Sequence, residues 1–273
     1  MAVTIGFLAA AGRSGRAWAG LPAPLRIGGT GMALAAMKQL GEAFTAMPAG
    51  TSVTVLPSLG TGGGLAAAAA GAIDLALAAR ALNDAERAKG LHGFAYGQTP
   101  MAFVVHPGVS VRGLGLPEIV SIFSGAMSAW PDGTPIRLIR REPSDADWSM
   151  LRTISPGMAE AVRVALERPG LLTVATDQEN ADDLERIAGS FGVMSIGQVV
   201  AEARRVAALD LDGVPPTLDA LAAGRYPLAR TLHIAWREPS RADVANFLAF
   251  LRSRPASDAM ARLGLIPLAG PGA

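Results

Sequence analysis

The chain predicts an α/β protein of two lobes, each a mostly parallel sheet flanked by helices. Three observations carry that expectation. Strand-like and helix-like segments alternate from Leu25 onward, and the alternation runs through two successive blocks separated by a long apolar strand. The 273 residues, half of them hydrophobic, are also enough to bury one large core or two modest ones.

In the first block, Leu25 to Thr30 reads as a strand entering a Gly turn and Gly31 to Phe44 as an amphipathic helix. Ser52 to Pro57 reads as a second strand, Gly64 to Ala70 as an alanine helix, and Ile73 to Arg80 as a third strand. A βαβαβ order makes the first sheet parallel. Thr99 to Gly108 is a long apolar strand closing on Pro-Gly. The pattern then restarts with a helix near Leu116 to Ser124, a strand from Pro135 to Arg141 and a helix from about Asp145. It continues with a strand from Leu171 to Thr176, a helix near Asn180 to Gly189 and a strand from Phe191 to Gly197. Tyr226 to Trp236 supplies a last long strand, followed by a helix over Arg241 to Arg254 and a short helix before Gly264. Packing of these closing elements on the first block gives one lobe from 25–100 plus 226–273 and another from 101–225. The chain then crosses twice between lobes, near Met101 to His106 and Val199 to Tyr226, and these crossings are the expected hinge.

Composition removes several function classes. The net charge is +1 and no basic block or basic stripe with interleaved aromatics occurs, which argues against a nucleic-acid partner. Cysteine is absent, so disulfides, thiolate nucleophiles and Cys-ligated metals are excluded. His92, His106 and His233 lack ligand-like spacing, and neither a metal nor a cofactor is expected. The first 24 residues read as a leader: Ala2 to Ala11 is apolar and Ala17-Trp18-Ala19 fits a small-x-small cleavage site, although Arg13 and Arg16 follow the apolar stretch rather than precede it. Export is the favoured reading of this segment, and a leader on a cytoplasmic protein is its rival. No other apolar run is long enough to span a bilayer.

Leu59-Gly60-Thr61-Gly62-Gly63-Gly64 is the segment richest in chemistry. Glycines opening a helix leave backbone N–H groups pointing outward, and the helix dipole adds partial positive charge, which together suit an anion. The plainer alternative is a flexible turn before a tightly packed alanine helix. An enzyme would have to draw on Ser58, Thr61, Asp74, Asp145, Asp147 and Glu179. No His or Lys sits in a nucleophile motif, the glycine turn lacks the Lys-Ser/Thr of a P-loop, and Asp74 at a strand start suits a structural hydrogen bond, so no catalytic residue is expected.

The ordered segments GGTGMALAAMKQLGEAF, LPSLGTGGGLAAAAAGAIDLALAARAL, IVSIFSGAMSAWPDGTPIRLIRR, GVMSIG and GRYPLARTLHI resemble the periplasmic phosphate-binding proteins of ABC importers, the PstS type. The resemblance covers nearly the whole chain after residue 25; Ile122-Phe123-Ser124-Gly125 followed by Trp130 is its most specific part. It implies the two-lobed type 2 periplasmic binding protein fold, closing on a small phosphate-like oxyanion in the cleft. It further implies a periplasmic monomer that hands its ligand to an ABC importer permease, with no membrane insertion once processed.

The resemblance assigns ligand contacts residue by residue. Thr30 matches the hydroxyl of the first Gly turn, with the N–H groups of Gly31 and Met32 beyond it. Thr61 matches the serine of the second turn, with Gly62 and Gly63 keeping the backbone open. Arg141, or its neighbour Arg140, matches the arginine of the second lobe; adjacent strand residues face opposite ways, so one of the two is structural. Two departures stand out. The family's aspartate after the third strand is replaced by Ala79 followed by Arg80, and its SGT turn by Asp145-Ala146-Asp147. Ser144 and Asp147 have capping-box spacing, so these acids either cap a helix or oppose an anion. Ser144, Asp145 and Arg80 complete the expected ligand set, with Thr176 to Asn180 the next stretch in line if the acids are only a cap.

Overall fold

The computed structural model describes residues 23–48 and 50–268. The expected leader, apart from Ala23 and Pro24, lies outside them. From Leu25 the chain builds β1 (Leu25–Gly29), a 3-10 turn (Gly31–Ala33) running straight into α1 (Leu34–Thr45), β2 (Val53–Val55), α2 (Gly60–Ala69), β3 (Leu75–Ala78), α3 (Asp84–Ala88) and the long β4 (Leu91–Val105). β1 pairs in parallel with both β2 and β3. All four residues of β3 are buried, as expected of a strand covered on both faces.

The second block adds β5 (Gly113–Leu114), α4 (Leu116–Ser124), β6 (Arg137–Leu138), β7 (Arg140–Arg141), α5 (Ala146–Arg152), α6 (Pro156–Glu167), β8 (Thr173–Val174), α7 (Asp177–Arg186), β9 (Ser190–Ser195) and α8 (Ile196–Ala201). The closing run is β10 (Ala207–Ala208), β11 (Asp210–Leu211), α9 (Leu218–Ala222), β12 (Ala229–Arg237), α10 (Ala242–Leu251), α11 (Arg254–Arg262) and β13 (Ile266–Pro267).

The main sheet runs β2-β1-β3-β12-β4-β9-β6, with β10 and β13 also paired to β4. β4 joins its two halves. Leu91 to Pro100 pair antiparallel with β12, whereas Met101 to Val105 pair antiparallel with β9. The strand starts well before the apolar segment that announces it, because Gly93 and Gly97 dilute its hydrophobic pattern. Gly93 is needed there: a Cβ would fall 2.8 Å from the Ile234 carbonyl of β12.

Two more differences bear on the site. The Pro135 to Arg141 segment is not one strand, since Arg137–Leu138 joins β9 while Arg140–Arg141 leaves the main sheet to pair with β8. The helix expected from about Asp145 is two helices, the second started by Ser155, whose side chain accepts from the Met158 N–H, with Pro156 in the first turn.

One large apolar cluster runs through both halves, with aromatic contacts at each end. Phe44 of α1 meets Phe247 edge-on and Phe250 at a tilt, so α10 returns to the first βαβ unit. In the other half Phe103, Phe123, Trp148 and Phe191 form a connected aromatic cluster beneath β4 and β9. α2 lies unusually close to the sheet. A Cβ on Gly64 would sit 2.6 Å from the Gly29 Cα, whereas one on Gly62 would meet nothing within 4 Å. Gly64→Ala should therefore destabilise the protein by about 1–3 kcal/mol through overpacking. Gly62→Ala should be neutral or stabilising by about 0.5–1 kcal/mol, because Gly is the poorer helix former. Urea denaturation of the two variants checks the contrast.

Candidate functional site

Every chain segment that walls the principal cleft leaves the C-terminal end of a strand or opens a helix, the usual place for a ligand in an α/β sheet. The cleft has a volume of about 430 Å³ and opens between the two halves. Thr30 and Met32 follow β1, Ala79 and Arg80 follow β3, and Gly60 to Gly63 form the first turn of α2. From the opposite half come Arg141 at the end of β7, Glu142, Ser144, Asp145 and Ala146 beyond it, and Ala175 and Asp177 after β8.

On the first side, α2 begins at Gly60, not at Gly64, so the glycine turn is itself the helix N-terminus and lines the cleft. Thr61 is anchored, its Oγ1 accepting from the Ala79 N–H at 3.0 Å, which leaves the hydroxyl proton free to be donated. Thr30 is buried and lines the cleft without capping the turn that follows it. Arg80 is held by a two-pronged ion pair to Glu86, both contacts at 2.8 Å. That partner strengthens the guanidinium's hold on its proton and pulls the Glu86 carboxyl below its usual range.

The second side is organised around a buried guanidinium. Nε and Nη2 of Arg141 reach the Asp145 Oδ2 at 3.0 and 2.7 Å, and Nη2 also lies 3.2 Å from the Asp177 Oδ1. Burial opposes the charge of Arg141, but Asp177 and Asp145 outweigh it and raise its affinity for the proton. Asp145 is also the N-cap of α5, its Oδ1 accepting from the Asp147 N–H at 2.8 Å. The capping box expected between Ser144 and Asp147 therefore does not form; Asp145 reaches the helix amide itself, one residue closer. Asp147 turns the other way and meets Arg230 of β12 at 2.6 Å. Burial together with the nearby Asp145 charge pushes the Asp147 carboxyl up to about 7 against the pull of Arg230.

Asp177 crosses the cleft. Its Oδ2 accepts from the Met32 N–H at 2.9 Å, and the neighbouring Gln178 Nε2 donates to the Gly31 carbonyl at 3.0 Å. Burial is the main cause that raises the Asp177 carboxyl above its usual range, with Arg141 opposing.

A family model described as a PBP superfamily domain matches residues 13–255. The chain belongs to the PBP superfamily. A comparison with curated proteins gives no match. Among solved structures, a Clostridium perfringens protein with bound phosphate, provisionally described as a phosphate ABC transporter substrate-binding protein, superposes with a TM-score of 0.77 at 21% identity, over 90% of this chain and all of that one. An ABC-type phosphate transport receptor from Vibrio cholerae gives 0.61 at 24% identity, over 89% and 99%. A phosphate-binding protein from Stenotrophomonas maltophilia gives 0.69 at 15% identity, over 90% and 91%.

In this PBP-superfamily chain, Thr30, Met32, Thr61, Gly62, Gly63, Arg80, Arg141, Ser144 and Asp145 all line one cleft, and Gly31 lies against Asp177 at its edge. Arg140 does not belong with them. Its Nη1 donates to the carbonyls of Ala165, Leu166 and Arg168, closing the end of α6, and its Nε donates to Thr173 Oγ1 at 2.9 Å. Strand alternation turns Arg140 away from the face that Arg141 occupies. Of the residues set aside for an enzyme, Asp74 serves the backbone, accepting from the Arg26 N–H at 2.8 Å. Sequence reasoning reached Asp177 only within the fallback stretch Thr176 to Asn180, and did not point to Arg230. A usable signal existed for Asp177, which follows a strand and opens a helix, as the other cleft segments do.

The Asp147 shift sets a pH dependence. Its folded-state pKa lies above its unfolded value, so the stability gained from the neutral form is complete below about pH 4 and disappears as pH rises through about 7. Thermal melts between about pH 4 and pH 7 should show the parent losing stability relative to Asp147→Asn, which has no proton to lose there, with the difference levelling off above about pH 7.

Proposed function

We propose that this chain is an extracytoplasmic solute-binding protein that captures a small oxyanion, phosphate by resemblance, and presents it to the permease of an ABC importer. It acts as a monomer and performs no catalysis. One observation carries the reading. A single cleft gathers the open N-terminus of α2 with its Thr61 hydroxyl from one half, and the buried Arg141 from the other. Backbone N–H groups and a planar guanidinium are the donors that a compact anion needs. The solved relatives described as phosphate-binding support the choice of ligand. Among the described residues no helix is long and apolar enough to cross a membrane.

The lobes in this proposal are 25–100 with 226–273, and 101–225. The change of partner along β4 at Pro100 and Met101 supports that division. The second crossing lies beside the first: the Met101 N–H donates to the Leu228 carbonyl at 3.0 Å, and the Tyr226 hydroxyl donates to the Met101 carbonyl at 2.8 Å. Adjacent crossings form a natural hinge axis for closure.

The carboxylates favour a second reading. With Asp145 and Asp177 beside Arg141 and no aspartate at Ala79, the cleft suits a ligand that brings hydrogen-bond donors along with its anionic group. A thermal-shift screen of phosphate, sulfate, phosphonates and amino-bearing phosphate esters separates the two, because a ligand bound only by the folded state raises the melting temperature. Calorimetry with phosphate then tests the site. Thr61→Val should lower affinity by about 1–3 kcal/mol, since the donor is lost and the Ala79 N–H loses its acceptor; Thr61→Ser should retain it.

A further inference from the structure

Asp177 stands where a bound anion would stand. Its two carboxylate oxygens divide between the Met32 N–H, from one half of the protein, and Arg141, from the other. Both donors are contacts that the oxyanion reading assigns to ligand. The approach is close: a Cβ built on Gly31 would fall 2.6 Å from Oδ2.

This placement is not required by the helix that Asp177 begins. The start of α7 is already secured by a reciprocal cap, Thr176 accepting from the Glu179 N–H and the Glu179 carboxylate accepting from the Thr176 N–H. The Asp177 side chain takes no part in that cap and reaches across the cleft instead. The guanidinium it meets is also engaged by Asp145 at 2.7 Å, so Arg141 keeps one carboxylate partner when Asp177 withdraws. What Asp177 adds is a bridge between the halves through donors that an incoming oxyanion would otherwise claim.

We propose that Asp177 is a built-in occupant of the anion site, a carboxylate that holds the ligand's donors and is displaced when the ligand enters. The proposal rests on the oxyanion-binding reading. It makes Asp177 the residue that sets affinity, because only the fraction of molecules with the carboxylate withdrawn offers Met32 and Arg141 to the ligand. It also makes the bridge part of what keeps the empty protein closed, with Gln178 on Gly31 as its neighbour.

The experiment compares the parent with Asp177→Ser and Asp177→Asn, using inorganic phosphate as the probe. Isothermal calorimetry should show phosphate binding about tenfold or more tightly to the Ser variant, with the Asn variant between it and the parent, since Asn keeps an acceptor for Met32 but loses the charge. Small-angle scattering of the phosphate-free Ser variant should show a larger radius of gyration than the parent, reversed by phosphate. If the parent binds phosphate and the Ser variant binds it equally or more weakly, the proposal is wrong while the oxyanion reading stands. If the parent and both variants fail to bind phosphate, the oxyanion reading falls and takes the proposal with it. Should the Ser variant not fold, the Asn variant decides by the same comparison: tighter binding than the parent supports the proposal, and equal or weaker binding overturns it.

Discussion

The burial of the Arg141 guanidinium is the constraint around which the second half of the cleft is arranged. A charge removed from water must be paired and hydrogen-bonded, or its desolvation cost stands uncompensated. Asp145 answers from one side and Asp177 from another. Asp145 in turn caps α5, which fixes Asp147, and Asp147 reaches Arg230 on β12. A chain of charge-assisted contacts thus runs from the Met32 amide through Asp177, Arg141, Asp145 and the α5 backbone to β12. Its two ends lie on the same half of the protein, and its middle lies on the other.

That arrangement gives the cleft an electrostatic character unlike that of a plain cationic pocket. The arginines at or behind it, Arg80, Arg141 and Arg230, each have a carboxylate within 2.8 Å. Positive charge is present but largely compensated, and the donors left over are the buried Nη1 of Arg141, which has no hydrogen-bond partner among the described residues, and the backbone amides and hydroxyl at the start of α2. An anion entering here replaces existing contacts rather than neutralising a bare charge, so selectivity depends on geometry and on what must be displaced more than on net attraction.

The sheet explains why the two sides can face each other at all. β4 is one continuous strand whose first part belongs to one half and whose second part belongs to the other, and the return crossing at Tyr226 and Leu228 is hydrogen-bonded to it. The glycine-to-glycine approach of α2 on β1 then brings the helix N-terminus to the rim of the cleft.

Much of this was legible in the residues alone. Periodicity placed β1, α1, β3, α4 and β9 to within a few residues, and the glycine turn was recognisable as chemistry from its own residues, whereas the ligand roles of Thr61 and of the Arg140-Arg141 pair came from the family resemblance. The start of β4 was not legible, since its glycines answer to the backbone of β12 and not to neighbours in sequence. The choice between Arg140 and Arg141 was equally hidden. It depends on where the strand leaves β9 to pair with β8, a long-range decision that turns one guanidinium onto the end of α6 and the other into the cleft. Asp177 shows the same limit most clearly: sequence determined that an acid opens a helix, whereas tertiary structure decided that its carboxylate spans the cleft to Met32, because that contact joins residues 145 positions apart through the packing of two halves.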